Sequence, residues 1–576
     1  MSPRPPTLVD ALHRAATLDR PGSGMRFLDR RERETMLAWP EVRRRALALA
    51  GGLLAAGVAP GDRVCIVLPT EAAFADAFFG TLLAGAVPVP LYPPVRLGRL
   101  DEYFSRTAAM VRAADAVAVV SNPRVMRVLG RLLDHVTPRC GLLDATRLVH
   151  APPTTAASPS PDHLAMVQFS SGTTVAPKPV GLTHAQVLAN ARAITDDLLT
   201  RFPESEGHQH CGVSWLPLYH DMGLIGCIFP ALDHPSHITL LPPEAFLAKP
   251  ALWLRALSKY GGTIAPAPDF AYAMCVERVR DDELEGVDLS RWVAALDGAE
   301  PIAPATLRAF RDRFAKWGLQ PQALTPVYGL SEAALAVTFA PLDQPFQTVR
   351  VDGEALSRGR AEAVDAGGVE LVSVGPPLSG FGVEVRSAEG VVLGERRVGH
   401  IHISGPSLMK GYLDRDEQPI VDGWLDTGDL GFLVDGALVV TGRAKDIIVL
   451  RGRNHAPQDI ERAVDIVDGV RTGCAVAVGH VGEDGEQLFV FVEARTPREA
   501  LADDCIRAIR SATGLQPDLV LVLEPGTLPR TSSGKLRRGE SLRRWRANEL
   551  VPPESVSVVR LMGAMARSTL ARWRHR

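Results

Sequence analysis

The sequence predicts an α/β protein with a large N-terminal domain of layered α/β subdomains, a small β-barrel-like subdomain and a smaller α+β C-terminal domain. Three observations lead to this fold class. Helical stretches alternate with short apolar runs in the first half of the chain, short β-rich stretches follow residue 368, and the pattern changes again near residue 442. At 576 residues the chain is also too long for one ordinary domain.

The first helix–strand unit shows the alternation clearly. The stretch "WPEVRRRALALAGGLLAAG" has helical periodicity as far as Gly57, "APGD" forms a turn, and Val64–Leu68 is continuously apolar. The runs "DAVAVVS" and "HITLLPP" predict further short buried strands between helical stretches. Such alternation is typical of a largely parallel sheet covered by helices.

A β-rich region and a domain boundary are predicted further along the chain. After the polar stretch "RAEAVDAGGVE", the runs "VELVSVG", "FGVEVRS" and "GHIHISG" alternate like the strands of a small barrel-like subdomain. "DGALVVTG" and "DIIVLRG" bracket "RAK" and predict a two-strand element with a tight connection. The pattern then becomes compact α+β, so we place the N-terminal domain at 1–444 and the C-terminal domain at 445–576.

Composition indicates a globular protein without a nucleic-acid partner. Hydrophobic residues make up 46% and charged residues 22% of the chain, and a net charge of −3 shows no basic excess. The seven cysteines are scattered without a C-x-x-C pair, as is typical of reduced thiols in a cytoplasmic protein. The N-terminus has no long apolar core, so no secretory signal is expected. The most apolar run, "AFADAFFGTLLAGAVPVPLY", contains Asp76 and two prolines and predicts a buried helix and strand instead of a transmembrane segment.

The stretch "QFSSGTTVAPKPVGLTH", residues 168–184, is a candidate phosphate-binding loop. It follows a strand-like apolar run and precedes "THAQVLANARAI", a predicted helix with Thr183 as its cap. The backbone N–H groups and hydroxyls of such a loop can bind phosphate oxygens. The G-x-x-x-x-G-K-[ST] pattern is absent, and on this stretch alone a polar surface loop is the alternative.

Further motifs in a fixed order make this loop part of a larger pattern. They are "WLPLYHDMGL" (215–224), "DGAEP" (297–301), "VYGLSE" (327–332), "WLDTGDLG" (424–431), "TGRAKDIIVLRGRNHAPQDIE" (441–461) and "LPRTSSGKLRR" (528–538). With them the chain resembles the adenylate-forming superfamily, which activates carboxylic acids with ATP, from "LVDALHRAA" to about Arg546. Within this superfamily the chain most resembles the fatty acyl-AMP ligases, and the stretches that carry this resemblance are "WLPLYHDMGL" and "RGRNHAPQDIE".

The resemblance implies a reaction in which a carboxylate attacks the α-phosphorus of ATP and gives an acyl-adenylate and pyrophosphate. Both reactants are anions, so the protein has to supply positive charge and positioning. Lys535 would reach the α-phosphate and the carboxylate from a mobile C-terminal domain that turns about a hinge at Lys445. His220 would border the acyl pocket, and Glu332 would hold Mg²⁺ with Thr174 or its neighbour Thr173.

The same resemblance implies a set of ATP-binding residues. In chain order they are Ser170, Ser171, Gly172, Thr173, Thr174, Lys178, Gly298, Ala299, Tyr328, Gly329, Asp429 and Arg443. The first five would bind the β- and γ-phosphates with Lys178 assisting, the ring of Tyr328 and the backbone around Gly298 would contact adenine, and Asp429 would accept both ribose hydroxyls. Taken alone, several of these residues are also explained by ordinary roles in a loop, a turn or the core.

Two features bear on the acceptor of the acyl group. Related fatty acyl-AMP ligases carry an insertion at about the position of residues 346–375, which is thought to hinder the use of coenzyme A; a plain surface loop is the alternative. The chain has no D-S-L carrier motif, so we expect an acyl carrier protein or a polyketide synthase to accept the acyl group in trans. An acyl-CoA synthetase with the same first step is the second hypothesis.

A third hypothesis comes from departures in the phosphate-binding stretch. Val175 and Pro179 stand where many relatives have glycine, and Pro179 removes a backbone donor. A catalytically weakened protein that only binds an acyl-adenylate would fit such changes.

The C-terminal tail, "VSVVRLMGAMARSTLARWRHR", has helical periodicity and a basic end. A helix of this kind can dock a carrier protein or touch a membrane. Packing of the helix on its own domain is the interpretation that we favour from the sequence.

Overall fold

The structure is a computed structural model that describes most of the chain. The described residues are 4–18, 20–94, 99–170, 177–205, 209–414, 419–450, 453–482, 485–495, 498–531, 534–553 and 558–574.

The N-terminal region, up to Arg443, contains layered helices and sheets. Its helices are α1 (Leu8–Leu18), α2 (Trp39–Ala55), α3 (Ala72–Leu83), α4 (Leu100–Ala113), α5 (Pro123–Leu129), α6 (Ala145–Leu148), α7 (His184–Arg201), α8 (Asp221–Gly223), α9 (Phe229–Asp233), α10 (Pro243–Ala248), α11 (Ala251–Lys259), α12 (Asp269–Arg278), α13 (Pro304–Phe314) and α14 (Gly353–Ser357). Its strands are β1 (Gly24–Leu28), β2 (Glu34–Ala38), β3 (Arg63–Val67), β4 (Val87–Leu91), β5 (Ala116–Ser121), β6 (Leu142–Asp144), β7 (Leu164–Phe169), β8 (Pro179–Thr183), β9 (Cys211–Ser214), β10 (His237–Leu240), β11 (Ile264–Ala267), β12 (Ala294–Asp297), β13 (Leu324–Gly329), β14 (Ala336–Phe339), β15 (Thr348–Val351), β16 (Val369–Val372), β17 (Gly382–Arg386), β18 (Gly399–Ser404), β19 (Ile420–Val421), β20 (Trp424–Val434) and β21 (Ala437–Arg443).

The C-terminal region is a smaller α+β unit. Its elements are β22 (Ile448–Leu450), β23 (Arg453–His455), α15 (Pro457–Asp465), β24 (Val470–Gly482), β25 (Gly485–Ala494), α16 (Leu501–Thr513), β26 (Leu519–Leu523), α17 (Arg538–Arg546) and α18 (Val558–Arg574). Strands β24, β25 and β26 form one sheet, and β22 pairs with β23.

Two largely parallel sheets confirm the predicted α/β layers. The larger has the order β14-β13-β12-β11-β9-β10-β1-β2, with antiparallel strands only at its two edges. The smaller, β4-β3-β5-β6, is parallel throughout. The apolar run around Asp76 forms α3 and β4 as predicted, and the buried Asp76 carboxylate accepts a hydrogen bond from Arg45 Nε over 2.8 Å. Because this charge is paired, it can be buried in the core.

The β-rich region forms an antiparallel sheet with the order β17-β18-β20-β19, and β21 pairs with β20. The predicted pairing of "DGALVVTG" with "DIIVLRG" is wrong. Between them the turn Ala444–Asp446 carries the chain away from the β20–β21 pair, and β22 takes β23 as its partner instead. The boundary near Lys445 stays a prediction, and it agrees with a separate hydrophobic core that β22, α15, β24, β25 and α16 form after it.

The C-terminal helix α18 packs on the N-terminal region. Its contacts are with α5 and with the 3-10 helix Gly130–Asp134 that follows α5. The interpretation that this tail packs on its own domain is therefore wrong, because its small buried residues match the surface of α5. In the part of the chain that the structure describes, no helix is long and apolar enough to cross a membrane.

Candidate active site

Three of the sequence motifs meet at one edge of the larger sheet. The register pairs Ala267 with Asp297 and Asp297 with Pro326, so the carboxyl ends of β11, β12 and β13 lie side by side. "DGAEP" starts at the end of β12, "VYGLSE" includes the end of β13, and "WLPLYHDMGL" follows β9 of the same sheet. Ligands of parallel α/β sheets bind at this edge, so the fold itself brings these motifs to one cleft.

The backbone around the end of β12 and β13 leaves room only for small residues. A Cβ at Gly298 would lie 2.7 Å from Val327 Cγ2, and a Cβ at Gly329 would lie 1.8 Å from the carbonyl oxygen of Leu335. Ala299 has φ = 70°, a left-handed conformation that costs an L-residue roughly 1–3 kcal/mol. The surrounding packing therefore holds the backbone strained at Ala299 and closely packed at Gly298 and Gly329. The sequence predicts that adenine binds at these residues.

Asp429 is held by two side chains of the cleft. It lies directly opposite Arg443 in the β20–β21 pair, and its Oδ1 accepts a hydrogen bond from Arg443 Nε over 3.0 Å. Its Oδ2 accepts a hydrogen bond from the Tyr328 hydroxyl over 2.8 Å. Burial and the negative charge of Asp429 raise the pKa of Tyr328, so Tyr328 remains a donor. Strands β20 and β21 of one sheet and β13 of another therefore bring Asp429, the predicted ribose residue, next to Tyr328, the predicted adenine residue.

Tyr412 connects Glu332 with Lys178. The Tyr412 hydroxyl donates a hydrogen bond to Glu332 Oε1 over 2.9 Å, and the Lys178 ammonium lies 4.5 Å from the centre of the Tyr412 ring. Tyr412 reaches this place because it bridges to Val180 of β8. Desolvation raises the pKa of Glu332, and the hydrogen bond from Tyr412 opposes that shift. A carboxylate in this state would gain from a bound cation.

The candidate phosphate loop is described only at its two ends. Ser170 donates its N–H to the Lys178 carbonyl over 2.9 Å, which closes the antiparallel β7–β8 pair around the loop. The rest of the predicted set, Ser171, Gly172, Thr173 and Thr174, lies outside the described residues, as does Val175. Thr183 and Gln186 form the predicted cap of α7, with both reciprocal hydrogen bonds present.

Pro179 is part of strand β8 and is not a loop residue. Its side chain is buried, and its carbonyl accepts a hydrogen bond from the Leu413 N–H over 3.0 Å. The donor that Pro179 removes is therefore missing from the strand pair next to the loop, and the effect of this residue on the loop stays a prediction.

Lys535 enters the cleft from the C-terminal region. Its backbone is fixed by Thr531, whose N–H donates to the Lys535 carbonyl over 2.8 Å and whose hydroxyl accepts the Lys535 N–H over 3.1 Å. Desolvation lowers the pKa of the Lys535 ammonium, and the negative charges of Asp221 and Glu300 oppose that shift. Among the described residues, none forms an ion pair or a hydrogen bond with this ammonium.

His220 borders the same cleft and lies next to the Asp221 carboxylate, which is held by hydrogen bonds. Its Nδ1 lies 3.3 Å from Asp221 Oδ1, which also accepts the Met222 N–H over 2.7 Å. The Ser331 hydroxyl donates to Asp221 Oδ2. Burial opposes ionisation, but these hydrogen bonds and His220 together lower the pKa of Asp221 to about 2. Asp221 therefore stays ionised and orients the His220 ring.

Three carboxyl groups converge behind the strained backbone at Ala299. Asp297 is fully buried, and neither of its carboxyl oxygens has a hydrogen-bond partner among the described residues. Asp269 accepts the Ala303 N–H over 3.1 Å, and Glu300 accepts the Phe270 N–H over 2.8 Å. Burial and the neighbouring Glu300 raise the pKa of Asp269 to about 7, and burial together with both neighbours raises the pKa of Asp297 further. We refer to Asp269, Asp297 and Glu300 as the carboxyl cluster.

The sequence did not identify Tyr412, Asp221 or the carboxyl cluster as parts of the site. Asp221 and two members of the cluster, Asp297 and Glu300, stand inside quoted motifs, so their position beside other site residues was a usable signal. Tyr412 stands in "LMKGYLDR", which has no periodicity that places it on a known element. Among the residues that the structure describes, no group of three His, Cys, Asp or Glu side chains is arranged to hold a metal ion.

Comparisons with known proteins agree with the motifs. The family model for the AMP-binding enzyme matches residues 18–413. A protein of Caulobacter vibrioides that is provisionally named an acyl-CoA synthetase is 37% identical over 93% of this chain and 94% of its own length. The long-chain-fatty-acid–AMP ligase of Mycobacterium marinum is 34% identical over 89% of this chain and 92% of its own length.

A solved structure extends the match to the arrangement in space. It comes from a study of fatty acyl-adenylate ligases of E. coli and L. pneumophila, and it is similar with a TM-score of 0.88 and 35% identity over 94% of this chain and 98% of that one. Both the sequence and the fold therefore match from one end of the chain almost to the other. The chain belongs to the AMP-binding family of adenylate-forming enzymes, and the fatty acyl-AMP ligases are among the proteins it is similar to.

Proposed function

We propose that this enzyme uses ATP to convert a fatty or related carboxylic acid into an acyl-adenylate, and that it passes the acyl group to a carrier thiol. One observation carries the proposal. Lys535 reaches, from the C-terminal region, the same cleft that Asp429, Tyr328 and Glu332 line from the N-terminal region. A cation that enters this cleft without an ion partner among the described residues is suited to an anionic reacting group.

The residues divide the binding of ATP among them. The Asp429 carboxylate has two oxygens, each with room for more than one donor, so it can accept hydrogen bonds from both ribose hydroxyls. Gly298, Ala299 and Gly329 bring backbone close to the adenine, and Tyr328 supplies the ring face. The β7–β8 turn that begins at Ser170 would hold the phosphates, with Lys178 as a further cation. ATP bound in this way would present its α-phosphorus to the cleft.

Mg²⁺ fits the carboxylate of Glu332. The group is a hard oxygen donor that is desolvated, and the hydrogen bond from Tyr412 occupies only Oε1, so it has room for a cation. When bound, Mg²⁺ would neutralise charge on the phosphates of ATP. We assign the second protein ligand to Thr174, in line with the sequence.

The acid would bind on the His220 side of the cleft. Trp215, Met222 and Leu335 line this side together with His220, and such apolar walls suit a hydrocarbon chain. The carboxylate would then lie between this wall and Lys535. The Lys535 ammonium can hold the attacking carboxylate and the α-phosphate together and stabilise the charge that develops between them.

The segment 346–375 bears on the acceptor. It is a folded unit and not a plain surface loop, because β15 and β16 pair with each other and Val351 and Ala361 share a core with Phe432 and Val439. Its helix α14 also touches the C-terminal region, where Glu354 lies 3.2 Å from Arg453. A unit fixed to both regions can limit how the C-terminal domain turns, and this supports a carrier protein or a polyketide synthase over coenzyme A as the acceptor in the cytoplasm.

The test is an acyl-transfer assay with the purified protein. ATP, Mg²⁺ and a panel of fatty acids are supplied, and coenzyme A and a holo acyl carrier protein are offered in parallel. Acyl-adenylate and thioesters are read by mass spectrometry. We expect acyl-adenylate and acyl-carrier product without acyl-CoA.

Two other outcomes have definite meanings. Efficient formation of acyl-CoA would make the enzyme an acyl-CoA synthetase, which the name of the Caulobacter vibrioides relative favours. Absence of any adenylate with every acid, while ATP still binds, would favour the protein that only binds an acyl-adenylate.

A further inference from the structure

The tail helix α18 follows the C-terminal domain in the chain but packs on the N-terminal region. Ser568 is fully buried against α5, and Ala571 beside it is 3% exposed. The Ser568 hydroxyl donates to the Met126 carbonyl over 3.1 Å and accepts the Gly130 N–H over 2.9 Å. Small buried residues and a reciprocal hydrogen bond make this a specific seat, which we call the tail seat.

The tail seat leads to the surface that receives the C-terminal domain. The 3-10 helix Gly130–Asp134 packs on α4, and Arg131 Nη1 lies 2.8 Å from Asp101 at the start of α4. One residue further, Glu102 accepts a hydrogen bond from Arg544 of α17 over 2.6 Å. The arginine before α4, Arg99, donates to the carbonyl of Val551 over 3.1 Å. The same helix therefore supports the tail on one side and the C-terminal domain on the other.

The C-terminal domain is thus attached to the N-terminal domain at both of its ends. At one end is the turn Ala444–Asp446 and at the other is the docked α18. A unit held at both ends has fewer accessible orientations than one held by a single hinge, since each attachment removes conformational freedom. The orientation that remains places Lys535 in the cleft.

We propose that Gly130 and Ser568 are positioning residues, and that docking of α18 on the tail seat holds the C-terminal domain in the orientation in which Lys535 serves adenylate formation. The inference rests on the proposed function for the role of Lys535, but the docking itself is independent of that role. On the proposed function Lys535 withdraws from the cleft before the acyl group is transferred, so we expect transfer to gain nothing from the docked tail.

Gly130 offers a selective way to loosen the tail. Its φ of −54° and ψ of −30° suit alanine, so Gly130→Ala introduces no backbone strain. The added Cβ would lie 2.3 Å from the Ser568 carbonyl oxygen and 2.5 Å from Ser568 Oγ, so α18 would have to shift. Ser568→Ala loosens the tail without added bulk. Gly394→Ala is the matched control, because nothing lies within 4 Å of a Cβ at Gly394.

Hydrogen–deuterium exchange of the full-length protein without substrates is the first measurement. We expect Gly130→Ala to raise exchange in α18 and also in α17, which is linked to the tail seat through α4 and through the chain between the two helices. Ser568→Ala should do the same more weakly, and Gly394→Ala should change neither. A rise confined to α18 and α5, or no rise in α18, would overturn the proposal.

Separate kinetics of the two steps form the second measurement. We expect Gly130→Ala to lower the rate of adenylate formation by about 5- to 30-fold, the range that a loss of one or two kcal/mol gives, and to leave transfer from supplied acyl-adenylate unchanged or faster. An equal fall in both steps, with the melting temperature lowered, would indicate a merely structural role and contradict the proposal. If the wild-type protein forms no adenylate, the proposed function fails, and the exchange measurement still decides whether the tail orients the domain.

Discussion

Asp429 and Lys535 face the same cleft from different domains, and their surroundings differ. Asp429 is held by Arg443 over 3.0 Å and by the Tyr328 hydroxyl over 2.8 Å, all within the N-terminal region. Lys535 has a fixed backbone at Thr531, but its ammonium is paired with none of the residues that the structure describes. The Asp429 carboxylate is in direct contact with its counter-charge Arg443, whereas the nearest negative charges act on the Lys535 ammonium without an ion pair among the described residues.

This difference indicates which kind of ligand group each residue is suited to bind. A paired carboxylate keeps its orientation before any ligand arrives, which suits recognition of a fixed group such as a ribose. An unpaired ammonium is desolvated at a cost, and the pKa of Lys535 is lowered for that reason. An anionic ligand would relieve that cost, so Lys535 should gain most when charge develops in the reaction.

Lys535→Ala should have the largest effect of the predicted changes. Adenylate formation should fall by about 10²- to 10³-fold, as expected when a group that stabilises developing charge is removed. The measurement is single-turnover release of pyrophosphate. Lys316→Ala is the matched control, because Lys316 is exposed, pairs with the exposed Asp281 over 2.5 Å and does not line the cleft. Transfer from supplied acyl-adenylate should change little, and a comparable loss in that step would contradict the assignment.

Asp429→Asn should have the second-largest effect, and it should act on the binding of ATP. The change keeps the size of the side chain but removes the charge that pairs with Arg443 and that, on the proposed function, would accept the two ribose hydroxyls, so kcat/KM for ATP should fall by about 10- to 100-fold. Steady-state kinetics with varied ATP would show whether KM carries the loss. Asp435→Asn in the turn of the same hairpin is exposed and should have no effect. A fall in kcat at unchanged KM would mean that Asp429 acts in the chemical step.

The sequence predicted the elements and motifs of the N-terminal region because local patterns determine them. The helix α2 and strand β3 follow from periodicity, and the cap of α7 follows from Thr183 and Gln186. The motif residues meet because the carboxyl ends of neighbouring parallel strands share one edge, which the α/β pattern already implies.

The contacts that the sequence missed join distant segments. Tyr412 reaches Glu332 and Lys178 only because its loop bridges to β8, and no spacing in the chain predicts such a bridge. The apolar periodicity of α18 indicates that the helix packs on something, but the choice between the two domains depends on the shape of α5 around Gly130. Pairing of β22 with β23 likewise depends on the turn at Ala444–Asp446.

Asp297→Asn extends the comparison from Asp429 to a buried carboxyl group that accepts no hydrogen bond from a described residue. In the folded protein the pKa of Asp269 is raised to about 7 and that of Asp297 further, so folding favours their protonated forms. The unfolded chain ionises them near pH 4, and the stability that they contribute is therefore lost as pH rises from about 4 through 7 and beyond.

An amide at position 297 can donate to Asp269 and removes one of these groups. The melting temperature of the wild type should fall from pH 5 to pH 8, and Asp297→Asn should flatten that fall by about 2–4 °C. Asp115→Asn serves as the control, because the Asp115 side chain is 93% exposed. Parallel pH profiles for wild type and Asp297→Asn would show that the carboxyl cluster is not protonated in the folded protein.

Tyr412→Phe should have the smallest effect, because it removes one hydrogen bond from a site that otherwise stays intact. The ring that lies 4.5 Å from the Lys178 ammonium remains, while the hydroxyl that donates to Glu332 over 2.9 Å is lost. If Glu332 holds Mg²⁺, the loss should appear as a higher Mg²⁺ concentration for half-maximal adenylate formation, by about 3- to 10-fold, in keeping with one hydrogen bond to a charged group. Tyr412→Ala removes the ring as well and should add a loss in affinity for ATP. A Mg²⁺ dependence that Tyr412→Phe leaves unchanged would contradict a role of the Tyr412 hydroxyl at the metal, and a raised KM for ATP in Tyr412→Ala alone would assign the effect of Tyr412 to its ring beside Lys178.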